Sequence, residues 1–196
     1  MRVHWRAYVF RSFQLNRQFL YQWTVNWRFV PAEVFLSTKF SYVLLAVHAA
    51  LLLVFATTRW TAPSRRSLPA MLKLFLSLDP DWRETDEVEA RVRPEWIMTT
   101  MLTANAIGML CARSLHYQFY SWLCWSTPYL LWKSGLHPIA VYAVWAAQEW
   151  AWNVYPSTDE SSMVVVGALS VQVLAIWWGT RKDWWEPKQK GPKKDD

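Results

Sequence analysis

Five long runs of this chain are almost free of charge: Phe40–Thr58, Trp96–Ala112, Leu115–Trp132, Gly135–Trp152 and Met163–Thr180. Each approaches the ~20 residues that a helix needs to cross a hydrocarbon layer about 30 Å thick. One or two such runs can be buried inside a soluble core. Five in 196 residues cannot, so the pattern predicts a membrane protein. Lipid offers no partner to a backbone amide, and a helix satisfies its own. The expected fold is therefore an all-α, polytopic helical bundle with about five transmembrane helices. Gly135–Trp152 is the weakest of the five, because Glu149 lies near its end.

Composition agrees with that reading. Aromatic residues make up 17% of the chain and include 16 tryptophans, whose rings settle at membrane–water boundaries. With only 5 glycines, a Gly-rich phosphate loop is excluded. Cys111 and Cys124 fall inside apolar runs and predict neither a disulfide framework nor a zinc site, so no metal and no cofactor is expected. No HExxH, GxSxG or P-loop motif occurs. The start, "MRVHWRAYVFRSFQLNRQF", lacks the unbroken apolar core of a signal peptide.

A net charge of +6 raises the question of nucleic acid. The basic residues instead flank apolar runs, which predicts membrane orientation and no nucleic-acid partner. Seven Lys/Arg lie between the first two runs, six in the tail from Arg181, and none in Asn153–Ser162. The positive-inside rule then places the 59–95 loop and the basic 181–196 tail in the cytosol. Residues 1–180 form one membrane domain. The interfacial segment 1–39, the turn at Arg113–His116 and the loop Asn153–Ser162 face the other side. The final "KKDD" resembles a dilysine retrieval signal of the endoplasmic reticulum, which makes that other side the lumen.

Three polar-aromatic motifs meet on this luminal side. In "NRQFLYQWTVNWRFVP", a helix would gather Phe19, Trp23, Trp27 and Val30 on one face, with Arg17, Tyr21, Thr24 and Arg28 on another. Such a helix would lie in the interface, and Pro31 would end it. Arginine there can meet phosphate in a bidentate fashion. In "RSLHYQFYSW", Arg113, His116, Tyr117 and Gln118 either cap two helix ends or line a site. In "QEWAWNVYPSTDESS", Trp152, Asn153 and Tyr155 follow Glu149, an acid that is costly in a membrane unless it is functional or paired with an arginine.

The strings "FLYQWTVNWRFVP", "RSLHYQFYSW", "TPYLLW" and "WNVYPST" resemble, in this order, the C-terminal half of one enzyme family. It is the dolichyl-phosphate-mannose-dependent alpha-1,3-mannosyltransferase family of asparagine-linked glycan assembly. The resemblance implies a partial GT-C-type fold in the reticulum membrane. It implies dolichyl phosphate mannose as donor and the five-mannose dolichol-diphosphate-linked oligosaccharide as acceptor, with membrane lipid around both. An inverting transfer needs a base for the acceptor hydroxyl and a pocket for the departing phosphate. The family's base is expected on an acid in a first luminal loop that this chain lacks, so the chain is read as a C-terminal portion. By position, Arg17, Trp27, Arg28, Arg113, His116, Tyr117, Gln118, Trp152, Asn153 and Tyr155 match the family's motifs as substrate-binding candidates. The alternatives are a non-catalytic membrane partner or scaffold, and a small transporter lined by Glu149, His116 and Arg113.

Overall fold

The computed structural model describes residues 5–12, 20–77 and 92–181. Every regular element among them is helical. The helices are α1 (Trp5–Ser12), α2 (Ala32–Leu36), α3 (Thr38–Phe55), α4 (Leu68–Leu76), α5 (Pro94–Cys111), α6 (Tyr120–Lys133), α7 (Pro138–Asn153) and α8 (Asp159–Gly179). Two stretches, Thr38–Ser64 and Asp159–Gly179, are long and apolar enough to cross a membrane. The other three long helices have 18, 14 and 16 residues, or about 27, 21 and 24 Å at the helical rise. In the third run the chain does not become helical at Leu115. It first passes through a 3₁₀ turn at Tyr117–Phe119, and α6 begins at Tyr120.

Local chemistry sets the boundaries. Ser37 caps α3 by accepting from the Phe40 amide, and Thr158 and Ser161 cap α8 reciprocally. Proline opens α5 and α7, where its missing amide hydrogen costs nothing. Gly135, with φ of 73°, takes the left-handed conformation just past the end of α6.

The helix α8 is the centre of the bundle and packs against α5, α6 and α7, while α3 leans on α5 from outside. Within their apolar windows 39% of α8 is buried but only 11% of α3, so α3 turns most of its apolar surface outward. Tyr42, Val43, Leu45 and Leu53 on α3, Trp125 and Trp132 on α6, and Ile139 and Tyr142 on α7 are exposed. Outward apolar surface on several helices is the arrangement expected of a bundle solvated by lipid. Two apolar clusters fill the interior. One, around Leu115, Leu123, Val165 and Leu169, lies under the motif connections; the other, around Phe55, Ile107, Leu130 and Ile176, lies towards the opposite end.

Candidate functional site

The start of α3, the end of α5, the start of α6, the end of α7 and the start of α8 share one end of the bundle. The connections between them carry all three motifs. From Leu20 onward the first motif is not the interfacial α-helix that its periodicity predicts, and residues 16–19 lie outside the described residues. Between Leu20 and Pro31 only Tyr21–Trp23 is helical, as a single 3₁₀ turn, and the backbone leaves it extended at Thr24. The reason lies about ninety residues away. The Val25 amide donates to the Leu115 carbonyl at 2.8 Å, and the Asn26 side chain bridges the same strip of backbone. Asn26 Nδ2 donates to the Ala112 carbonyl at 2.6 Å, and Asn26 Oδ1 accepts from the Leu115 amide at 2.9 Å. Asn26, Thr24 and Val25 are fully buried. A helix would turn these groups back on themselves and leave the 112–115 backbone unsatisfied.

The third motif locks onto the first. Ser162, in the first turns of α8, donates to the Asn26 carbonyl and accepts from the Arg28 amide at 2.8 Å. Ser157 donates to the Thr24 carbonyl at 2.8 Å. The second and third motifs also meet directly, because the Tyr117 hydroxyl donates to the Val154 carbonyl at 2.6 Å. The rings of Tyr117 and Tyr155 stand edge-on with centroids 5.5 Å apart. Three segments distant in sequence thus form one hydrogen-bonded unit.

The arginines occupy matching places within it. Arg28 lies over the ring of Tyr21 at 4.6 Å, and Arg113 over the ring of Phe35 at 5.7 Å. Tyr21 and Phe35 themselves touch, with centroids 5.2 Å apart. Two guanidinium groups therefore ride on adjoining aromatic rings. Arg28 Nη1 also donates to the Tyr21 carbonyl at 3.3 Å, and Arg113 Nη2 to the Phe35 carbonyl at 2.9 Å. The Tyr21 hydroxyl donates to the carbonyls of Arg28 and Val30, which holds the ring under its arginine.

The other candidates divide into supporting and outward groups. Trp27 is half-buried and donates from Nε1 to the Ala112 carbonyl at 2.8 Å. Trp152 is buried against Tyr120, ring to ring at 5.4 Å. Asn153 is exposed, but its amide folds back onto the Glu149 carbonyl of its own helix at 2.7 Å. His116 Nδ1 lies 3.1 Å from the Trp23 carbonyl, so that nitrogen carries the hydrogen and Nε2 points away from the contact. Gln118 and Tyr155 are exposed. Arg17 lies outside the described residues. Among the described residues Glu149 has no basic partner, so the ion pair its position suggests does not form there. None of their His, Cys, Asp and Glu side chains gather in groups of three or more that could hold a metal ion.

Sequence reasoning did not single out Asn26, Phe35 or Ser162. Their neighbours in the chain are unremarkable, and each acts through a partner between 78 and 136 positions away.

This combination of motifs has relatives. The family model of the ALG3 protein matches residues 1–162. The chain belongs to the ALG3 protein family. A "Dol-P-Man:Man(5)GlcNAc(2)-PP-Dol alpha-1,3-mannosyltransferase" of Neurospora crassa is 52% identical over 192 residues, covering 96% of this chain and 43% of the relative. Proteins of the same name from Mus musculus and Homo sapiens are 42% and 41% identical, over 87% and 88% of this chain and 38% of each relative. The ALG3 match thus spans about two fifths of the length of these curated relatives. No solved structure matches the chain.

Proposed function

We propose that this ALG3-family chain forms the lipid-phosphate side of an enzyme that transfers mannose from dolichyl phosphate mannose to the five-mannose dolichol-diphosphate oligosaccharide, in alpha-1,3 linkage. The transfer serves protein N-glycosylation. One observation carries the reading to particular residues: Arg28 and Arg113 lie on the adjoining rings of Tyr21 and Phe35, at the end where all three motifs interlock.

A departing dolichyl phosphate gains negative charge as the glycosidic bond breaks. Guanidinium groups already held over aromatic rings stabilise that charge without having to reorganise. His116 offers Nε2, left open by the contact of Nδ1 with the Trp23 carbonyl, and Gln118 and Tyr155 supply outward polar groups for sugar hydroxyls. Trp27, Tyr117, Trp152 and Asn153 hold these elements in place. Arg17 belongs to the same phosphate-binding set by its place in the motif. The base that takes the acceptor proton is expected on an acid of a first luminal loop. The surrounding fold is a GT-C-type bundle of about five spans in the endoplasmic reticulum membrane, near residues 40–58, 96–112, 115–132, 135–152 and 163–180. The motif connections are luminal, and the 59–95 loop and 181–196 tail cytosolic.

The test is Arg113→Ala in a full-length family member, assayed with both dolichol substrates. A charge-assisted hydrogen bond is worth about 1.5–3 kcal/mol, so the donor KM should rise about tenfold or more, or transfer should cease. Wild-type donor kinetics in protein that melts at the wild-type temperature would overturn the assignment.

A further inference from the structure

Three residues separate the apolar stretch Thr38–Ser64 from α4, Leu68–Leu76. Among the described residues this helix takes no part in the main packing of the bundle. At about 100° per residue, Leu68, Met71, Leu72, Leu74, Phe75 and Leu76 fall in an arc of about 200° centred on Phe75. Lys73 lies about 160° from that centre. A surface helix of a globular protein turns such an apolar face to the core. Here it is turned away: Phe75 is 85% exposed, Leu76 77% and Leu72 52%, while Leu68, Met71 and Leu74 are half-buried.

The exit from the span is held by hydrogen bonds. Thr61 Oγ1 donates to the Ala56 carbonyl at 2.9 Å, and Ser64 Oγ to the Thr61 carbonyl at 2.6 Å. The Arg66 amide in turn donates to Ser64 Oγ at 3.2 Å. Arg65, with φ of 55°, takes the left-handed conformation and turns the chain, and Pro63 and Ser64 beside it are buried. These contacts keep the start of α4 at the level where the apolar stretch ends. Leu53 and Val54, near the end of α3, are themselves exposed and belong to its outward apolar surface. Whatever solvates that surface also reaches the level of α4, and lipid does so without a matching partner surface. An apolar arc on one side and an ammonium on the other is the pattern of a helix lying in a membrane interface.

We infer that α4 lies on the membrane as an interfacial helix, with Leu72, Phe75 and Leu76 inserted among lipid chains and Lys73 turned towards water. The inference rests on the reading of Thr38–Ser64 as a membrane span and is independent of mannosyl transfer.

The test is spin-label depth measurement on the full chain in phosphatidylcholine vesicles. Single cysteines replace Leu72, Lys73, Phe75 or Leu76 in a background of Cys111→Ala and Cys124→Ala, with Leu53→Cys on α3 as the reference within the span. All four side chains of α4 are exposed, so these variants should fold. Relative access of oxygen and of a water-soluble nickel chelate gives the depth of each label. Labels at Leu72→Cys, Phe75→Cys and Leu76→Cys should lie about 5–10 Å into the boundary between headgroups and acyl chains, and the label at Lys73→Cys at its aqueous edge. Low access of both reagents at Phe75→Cys would show that protein covers the face, and high access of the nickel chelate alone would show that water does. Either result, or equal depth at Lys73→Cys and Phe75→Cys, would overturn the inference. A Leu53→Cys label outside the hydrocarbon would overturn the span and the inference with it.

Discussion

At the scale of single residues, the interlocked end depends most on Asn26. Its amide makes three hydrogen bonds in a fully buried position: it accepts from Thr24 Oγ1 and the Leu115 amide and donates to the Ala112 carbonyl. Truncation removes all three and leaves the Leu115 amide buried without an acceptor. Asn26→Ala should therefore destabilise the protein by about 2–4 kcal/mol. A drop of several degrees in the thermal midpoint of detergent-solubilised protein checks this; an unchanged midpoint would show that the bridge is dispensable. Nothing in the string "WTVNWRF" marks this asparagine, because its importance comes from a backbone strip 86–89 positions away. As candidates for binding phosphate, Arg28 and Arg113 were legible from their type and place. Their seats on Tyr21 and Phe35 were not, since those rings are brought together only by folding.

Among the elements, helical character was legible and the details of the connections were not. Lack of charge over the length of a span predicts helices, and every regular element among the described residues is one. The 3.6-residue period of "NRQFLYQWTVNWRF" pointed to one helix too many. Periodicity reports which face is apolar, yet here the Leu115 carbonyl and the Asn26 side chain compel extension. The same limit applies to buried polar groups inside helices. Gln148 on α7 donates to Thr127 on α6 at 2.9 Å and links the two. Gln172 on α8 is also fully buried, but neither atom of its amide has a partner among the described residues. An apolar residue of similar size removes an unsatisfied donor and acceptor without opening a large cavity. Gln172→Leu should therefore stabilise the bundle by about 1–3 kcal/mol, raising its thermal midpoint. A lowered midpoint would show that the amide is satisfied in the membrane, by water or by another polar group. Close packing near the end of α8 has its own signature, since a Cβ on Gly179 would sit 2.0 Å from the Ser134 carbonyl oxygen.

For the whole molecule, the two ends of the bundle have different chemistry. One end gathers the motif connections, with its arginines stacked on aromatic rings and its backbone cross-linked by Asn26, Ser162 and Tyr117. The other lies where α3 and α8 end and α5 begins, and Arg59 there donates to the Trp177 carbonyl. Family membership joins the chain as a whole to proteins named for dolichol-linked mannosyl transfer, over about two fifths of their length. The central claim is that the donor's lipid phosphate rests at that first end. A photoactivatable dolichyl phosphate mannose, cross-linked to a full-length family member and mapped by peptide mass spectrometry, tests it most directly. Label should fall within residues 20–36, 112–120 and 152–158, and excess unlabelled donor should suppress it. Competable label confined to the Arg59 end, or absent from all three segments, would contradict the claim.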